Sequence, residues 1–120
     1  MNKPVKIPGP DHPITIAPHP GRIVVTRDGK VIADTRSALT LREAAYPPMH
    51  YIPRADVDMA ALTRSSHTTY CPYKGDANYF SLAGAEGENA VWTYEAPFEA
   101  VKIIKDHVAF YPNRVTIAES

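Results

Sequence analysis

Residues 66–81, S-H-T-T-Y-C-P-Y-K-G-D-A-N-Y-F-S, concentrate the groups in this chain that could do chemistry. They hold its only cysteine (Cys71), one of five histidines (His67), three of seven tyrosines and a lysine, Lys74, directly before Gly75. Cys71 as a nucleophile needs a lowered pKa and a base within hydrogen-bond reach. In extended chain His67 and Cys71 face the same side but stand about 13 Å apart. Only the fold could therefore bring His67, His50 or His107 to the thiol; otherwise Cys71 packs as a small apolar group. Lys74 could bind an anion, or form a Schiff base if desolvated. The G-K order of a phosphate loop is absent, and the plainer reading is an exposed turn lysine. Cys71, His67 and Lys74 are the catalytic candidates.

The local geometry is restrictive. Pro72 fixes its own φ and pushes Cys71 out of the α region, so no helix runs through them. Cys71-Pro72-Tyr73-Lys74 reads as a β-turn closed by Gly75 at positive φ, which presents Lys74 at a bend.

Aromatic residues supply a second theme. Tyr73, Tyr79, Trp92 and Tyr94, with Tyr51, could line a pocket, their bodies burying a ligand and their polar tips orienting it. Ordinary cross-strand packing is the alternative. Arg54 and Arg114 sit in similar contexts, Y-I-P-R and Y-P-N-R, each just beyond a strand end where a carboxylate or phosphate could be clamped. The candidate binding set is thus Tyr51, Arg54, His67, Tyr73, Lys74, Tyr79, Trp92 and Arg114. Asp56 and Asp58 read as a solvated cap pair, and His12 and His19 as solvated histidines without the partners a metal requires. No metal and no cofactor are expected.

The elements that position these groups are mostly strands. Residues 1–21 carry six of the twelve prolines and form a proline-rich N-terminal arm, extended and polyproline-like, with Ile14 and Ile16 as possible anchors. Residues 22–120 form one domain. Ile23-Val24-Val25-Thr26 and Val31-Ile32-Ala33 flank Asp28-Gly29, a strong hairpin signal. Further strands are expected at residues 38–42, 49–52, 77–82, 89–94, 108–111 and 115–118. A short helical turn is expected over residues 54–62, capped by Asp56 or Asp58, and a clearer helix over 97–105, with proline in its first turn. The tally is a mainly β domain with a curled or barrel-like antiparallel sheet and one or two short helices.

Composition narrows the classes. Thirteen basic and thirteen acidic residues cancel, with no run of like charge to attract nucleic acid or an anionic membrane. A single cysteine permits no internal disulfide, the N-terminal residues contain no apolar signal core, and no apolar run is long enough to span a membrane, so a cytoplasmic location is expected. Glycosidase, triad-hydrolase and dinucleotide-binding readings lack their motifs.

Five blocks carry a resemblance: V-I-A-D-T at 31–35, Y-I-P-R-A-D-V at 51–57, H-T-T-Y-C-P-Y-K-G at 67–75, N-A-V-W-T-Y at 89–94 and A-F-Y-P at 109–112. In this order they resemble the bacterial and fungal domain of unknown function 427 family, over about residues 22–118. The resemblance implies a compact β-rich fold of the Mss4-like or β-tent type and no established activity. Relatives in that wider fold class often hold zinc with two cysteine pairs; here only Cys71 exists, so no zinc role carries over. The function expected is a small binding module, its aromatic and basic pocket near the C-P-Y-K-G turn taking a small molecule or short peptide. Alternatives are a small enzyme using Cys71 or Lys74, and an interaction domain without a pocket.

Overall fold

A computed structural model describes residues 3–120, so Met1 and Asn2 of the expected arm lie outside the described residues. The chain is mainly β and forms two antiparallel sheets. Seven strands make the larger: β1 (Ile14–Pro18), β4 (Leu39–Glu43), β5 (Met49–Pro53), β9 (His107–Phe110), β8 (Val91–Thr93), β7 (Gly75–Leu82) and β6 (Leu62–Cys71), in that spatial order. The smaller pairs β10 (Thr116–Glu119), β2 (Ile23–Arg27) and β3 (Lys30–Thr35). The larger sheet is open, as β1 and β6 at its two ends do not pair, so the curled alternative holds and closure into a barrel does not occur.

The β2–β3 hairpin forms where Asp28-Gly29 predicts it. Both residues take positive φ, 52° and 79°, the geometry whose twist matches the flanking strands. The register then slips, pairing Val25 with Ala33 but Thr26 with Val31. The extra residue, Ile32, lets two consecutive side chains, Ile32 and Ala33, face inward.

Period-2 alternation sorts the large sheet into two faces. Ile52, Phe80, Val91, Val108 and Phe110 pack with Ile23, Val25 and Ile32 of the small sheet. Their neighbours Tyr51, Tyr79, Trp92 and Ala109 point the other way and join Leu41, Tyr94, Val101 and Ile104 in a second cluster. One face is thus an aliphatic and Phe core under the small sheet; the other is rich in tyrosine.

The longest strand, β6, is not among the expected strands, and three expected elements take another form. Residues 14–18, read as part of the arm, form an edge strand, Ile14 opposite Glu43 and Ile16 opposite Leu41; an edge tolerates the prolines that bound it. The expected helix over 97–105 is a pair of 3-10 turns within Glu99–Ile104, broken at Val101 (φ −127°, ψ 23°). Val101 and Ile104 are the buried residues, three apart as a 3-10 turn requires. Residues 54–62 likewise give two single 3-10 turns, Arg54–Asp56 and Met59–Ala61, and neither is capped by an Asp side chain. Strands β9 and β10, consecutive in sequence, do not pair: β9 lies between β5 and β8, and β10 crosses to the small sheet beside β2. Among the described residues no helix is long and apolar enough to cross a membrane.

Candidate functional site

The tyrosine-rich face contains a cavity of about 220 Å³. Its walls are Tyr46, Tyr51, Tyr79, Trp92, Tyr94 and Tyr111 with Leu41 and Met49, and Glu43 and Lys74 add the charged groups. The aromatic groups come from separate strands because alternate residues of β5, β7 and β8 share a face: Tyr79 and Trp92 are cross-strand partners, and Tyr51 meets Trp92 edge-on at 6.3 Å between ring centres. Trp92 donates from Nε1 to the Tyr51 hydroxyl at 3.1 Å, and Tyr79 shares a hydrogen bond with Thr69 Oγ1 at 2.9 Å. Among the described residues the Tyr94 hydroxyl has no protein partner.

Lys74 corrects a sequence expectation. The turn itself is as read: Lys74 N–H donates to the Cys71 carbonyl at 3.2 Å, and Gly75 takes φ +108°. Yet Lys74 is buried, only 7% exposed. Its carbonyl accepts from Phe98 N–H at 3.0 Å, and its ammonium donates to Glu43 Oε1 on β4. Gly75 fits because Ala96 and Phe98 close over it, with the Ala96 carbonyl 3.4 Å from where a Cβ would sit. The turn is tucked beneath the 96–98 segment instead of standing free in solvent.

Glu43 therefore holds the site together. Its other oxygen is 2.6 Å from His12 Nε2, and the His12 ring lies flat on Tyr73 at 4.0 Å. Residues of the arm thus reach the site, assisted by Lys6 N–H on the Pro72 carbonyl at 2.8 Å. Burial pushes the Glu43 carboxyl upward, but the hydrogen bonds and charges of Lys74 and His12 together outweigh it and hold it below its ordinary value. Burial raises Tyr51 and Tyr94 far above the usual phenol range, and burial with the neighbouring Tyr79 takes Tyr111 to about 12. Tyr51, Tyr94 and Tyr111 thus stay neutral at physiological pH, set around one ammonium and one carboxylate.

The structure places the sequence candidates unevenly. Tyr51, Lys74, Tyr79, Trp92 and Tyr94 line the cavity. Tyr73 stacks on His12 outside the lining. Cys71 is half-buried, and its polar neighbour is Lys74 Nζ at 3.8 Å; among the described residues no histidine hydrogen-bonds the thiol. His67 sits in a bulge of β6, where residues 65–67 oppose Tyr79, and its exposed ring tilts on Tyr79 at 4.6 Å. Arg54 lies in a separate network. With Arg64 it grips Glu95, at 3.0 Å from Arg54 and 2.6 Å from Arg64, and both guanidiniums flank the Phe80 ring. Arg114 pairs with Glu86 at 3.6 Å, near the 84–87 loop.

Sequence reasoning missed Glu43, Tyr46 and Tyr111. Glu43 carried a signal: Leu39, Leu41 and Glu43 alternate on one strand face, so a carboxylate continues an apolar row and must find a cation. A cluster of different chemistry lies on the opposite side of the sheet, where ligand atoms of His19, His50 and Glu119 all fall within 4.8 Å of one another.

Two outcomes follow from these charges. Glu43→Gln leaves the buried ammonium without its countercharge and costs about 3–5 kcal/mol at pH 7 by urea unfolding, whereas the double variant Glu43→Gln/Lys74→Met recovers most of it; a neutral single variant would show that the pair is not buried. Hydrogen bonds from Arg64, assisted by Arg54, lower Glu95 from 4.5 to about 2. A depressed carboxyl contributes stability that is present above its unfolded value and lost as pH falls through the folded one. The stability gap between wild type and Glu95→Gln is therefore expected to close between pH 4.5 and 2, and a gap constant over that range contradicts the assignment.

No curated protein matches the chain. The family model described as a domain of unknown function (DUF427) matches residues 15–120, a span that holds every cavity-lining residue and all of the sheet strands but the first residue of β1. The cavity and its charged pair are thus features of a chain that belongs to the domain of unknown function 427 family.

Proposed function

We propose that the chain is a small-molecule binding module whose ligand enters the tyrosine-lined cavity and is oriented by Lys74 and Glu43. The observation that carries this reading is the buried Lys74–Glu43 pair bordering an aromatic cavity. Taking two charges out of water costs several kcal/mol per ion before their attraction is counted, and an apolar pair of similar volume is often as stable. A ligand that uses both charges gives the arrangement a role beyond packing. At about 220 Å³ the cavity is smaller than the roughly 300–1,000 Å³ typical of drug-sized ligands. It suits a compact, flat molecule, or one side chain of a peptide. Neutral phenols and an ammonium donate, while Glu43 accepts, so the ligand carries a carbonyl or hydroxyl oxygen on an aromatic or otherwise planar body. The Tyr94 side chain, which lines the cavity, supports the same polarity.

A small enzyme using Lys74 or Cys71 is the competing reading, favoured by the 3.8 Å approach of the ammonium to the thiol. Against it, a Schiff base needs an amine lone pair, and Nζ here is engaged as a donor to a carboxylate.

Trp92 is the sole tryptophan and lines the cavity, so its fluorescence reports occupancy. A screen of nucleotides, sugars, organic acids, small planar amides and phenols, and short peptides is expected to give at least one compound that raises the melting temperature and changes this fluorescence; about 100-fold excess over Kd adds about 2.7 kcal/mol. Tyr94→Phe should weaken that compound roughly tenfold, the equivalent of one hydrogen bond, and Glu43→Gln/Lys74→Met should abolish the effect. Absence of any stabilising compound counts against a binding module. Iodoacetamide labelling of Cys71 faster than a free cysteine would favour the enzyme.

A further inference from the structure

We propose that His19, His50 and Glu119 form a binding site for a divalent transition-metal ion of the zinc type, on the face of the large sheet opposite the cavity. The inference is independent of the ligand reading, since it shares no residue with the cavity. His50 Nε2 lies 3.1 Å from Glu119 Oε2, and His19 Nδ1 lies 3.9 Å from Glu119 Oε1. The three ligand atoms fall within 4.8 Å of one another. Zinc bonds of about 2.0–2.2 Å to nitrogen and oxygen in tetrahedral geometry separate neighbouring ligand atoms by about 3.3 Å. The cluster is thus within about 1.5 Å of coordination size.

Each ligand comes from a separately anchored segment. His50 is on β5, where its parity sets it on the same face as Ile52, toward the small sheet. His19 follows β1, its backbone N–H held by the Ala38 carbonyl at 2.8 Å. Glu119 ends β10 opposite Ile23, and the next residue, Ser120, exchanges two 2.9 Å backbone hydrogen bonds with Arg22. Gly21 permits that closeness: a Cβ there would fall 1.7 Å from the Ser120 carbonyl oxygen. An ion at this point would tie the small sheet, the large sheet and the chain between β1 and β2 together.

The surroundings fit a metal site. Thr40, itself buried, places Oγ1 2.9 Å from His50 Nδ1. If Nδ1–H donates to Thr40, Nε2 presents its lone pair toward Glu119 and His19, and an outer hydrogen bond of this kind fixes the tautomer of metal-binding histidines. In the other tautomer Nε2–H donates to Glu119 and the contact is a hydrogen bond from a neutral imidazole only. The two histidine side chains are 13% and 16% exposed, and Glu119 is 51% exposed, so an ion can enter. Three protein ligands leave a fourth position open to water, and a recess of about 440 Å³ adjoins the cluster. Arg42 also borders this recess. Two imidazoles and a carboxylate select zinc, cobalt or nickel over the hard, oxygen-seeking magnesium and calcium.

The full chain is titrated with Zn²⁺, Co²⁺ and Mg²⁺ after chelator treatment, alongside His50→Gln, His19→Asn, Glu119→Gln and Thr40→Val, with His107→Gln as control. Zn²⁺ is expected to raise the melting temperature of wild type and control, and Mg²⁺ to leave it unchanged. Co²⁺ should give visible d–d bands of low coordination number. Each ligand variant should bind Zn²⁺ at least tenfold more weakly, and Thr40→Val about 10–100-fold more weakly. Because each variant's melting temperature without metal is recorded, loss of folding is separated from loss of binding. No Zn²⁺ shift and no Co²⁺ bands in wild type, or Zn²⁺ binding that survives all three ligand variants, overturns the site.

Discussion

The contact on which the site depends is the ion pair between Lys74, in the β6–β7 turn, and Glu43, at the end of β4. An ammonium with 7% residual exposure cannot be left unpaired, so the turn has one place to go: against β4, across the tyrosine-rich face. That placement aims Lys74 at the cavity, brings Cys71 beside it and leaves Tyr73 outward for the His12 ring. It also ties the two ends of the large sheet together. β4 sits one strand from one edge while β6 is the other edge, so the pair spans a sheet whose hydrogen bonding does not close.

The two faces divide the work. Toward the small sheet the side chains are aliphatic or phenylalanine and pack a conventional core. The opposite face buries tyrosines, and a buried phenol is tolerable only where its hydroxyl finds a partner or reaches a cavity. Tyr51 and Tyr79 are satisfied by Trp92 and Thr69; Tyr94 opens into the cavity. The two 3-10 turns of Glu99–Ile104 cover this face with Val101 and Ile104.

What could be read from the sequence follows the range of the interactions involved. The β2–β3 hairpin is local, set by Asp28-Gly29, and formed as expected. The β-turn at Cys71 is local too, and its backbone was legible from Pro72 and Gly75. Where Lys74 points was not: its partner lies 31 residues away, and a turn read in isolation presents its side chains to solvent. The 97–105 segment failed differently, since the apolar spacing of three at Phe98, Val101 and Ile104 fits successive 3-10 turns as well as an α-helix. His50 and Glu119 are 69 residues apart and meet only because β10 leaves β9 for the other sheet, a crossing that no local signal announces. Tyr79 and Trp92 were legible as a pair because each sits in a strand readable from its own residues.

The buried pair is tested by NMR of the side-chain ammonium groups in lysine-labelled protein. The chain has six lysines, and one Nζ resonance, absent from the Lys74→Met variant, is expected to have protons that exchange slowly with water at neutral pH. That resonance should shift on addition of a cavity ligand while the other five do not. Six ammonium signals that all exchange rapidly would contradict the buried pair, and with it the charged floor of the cavity.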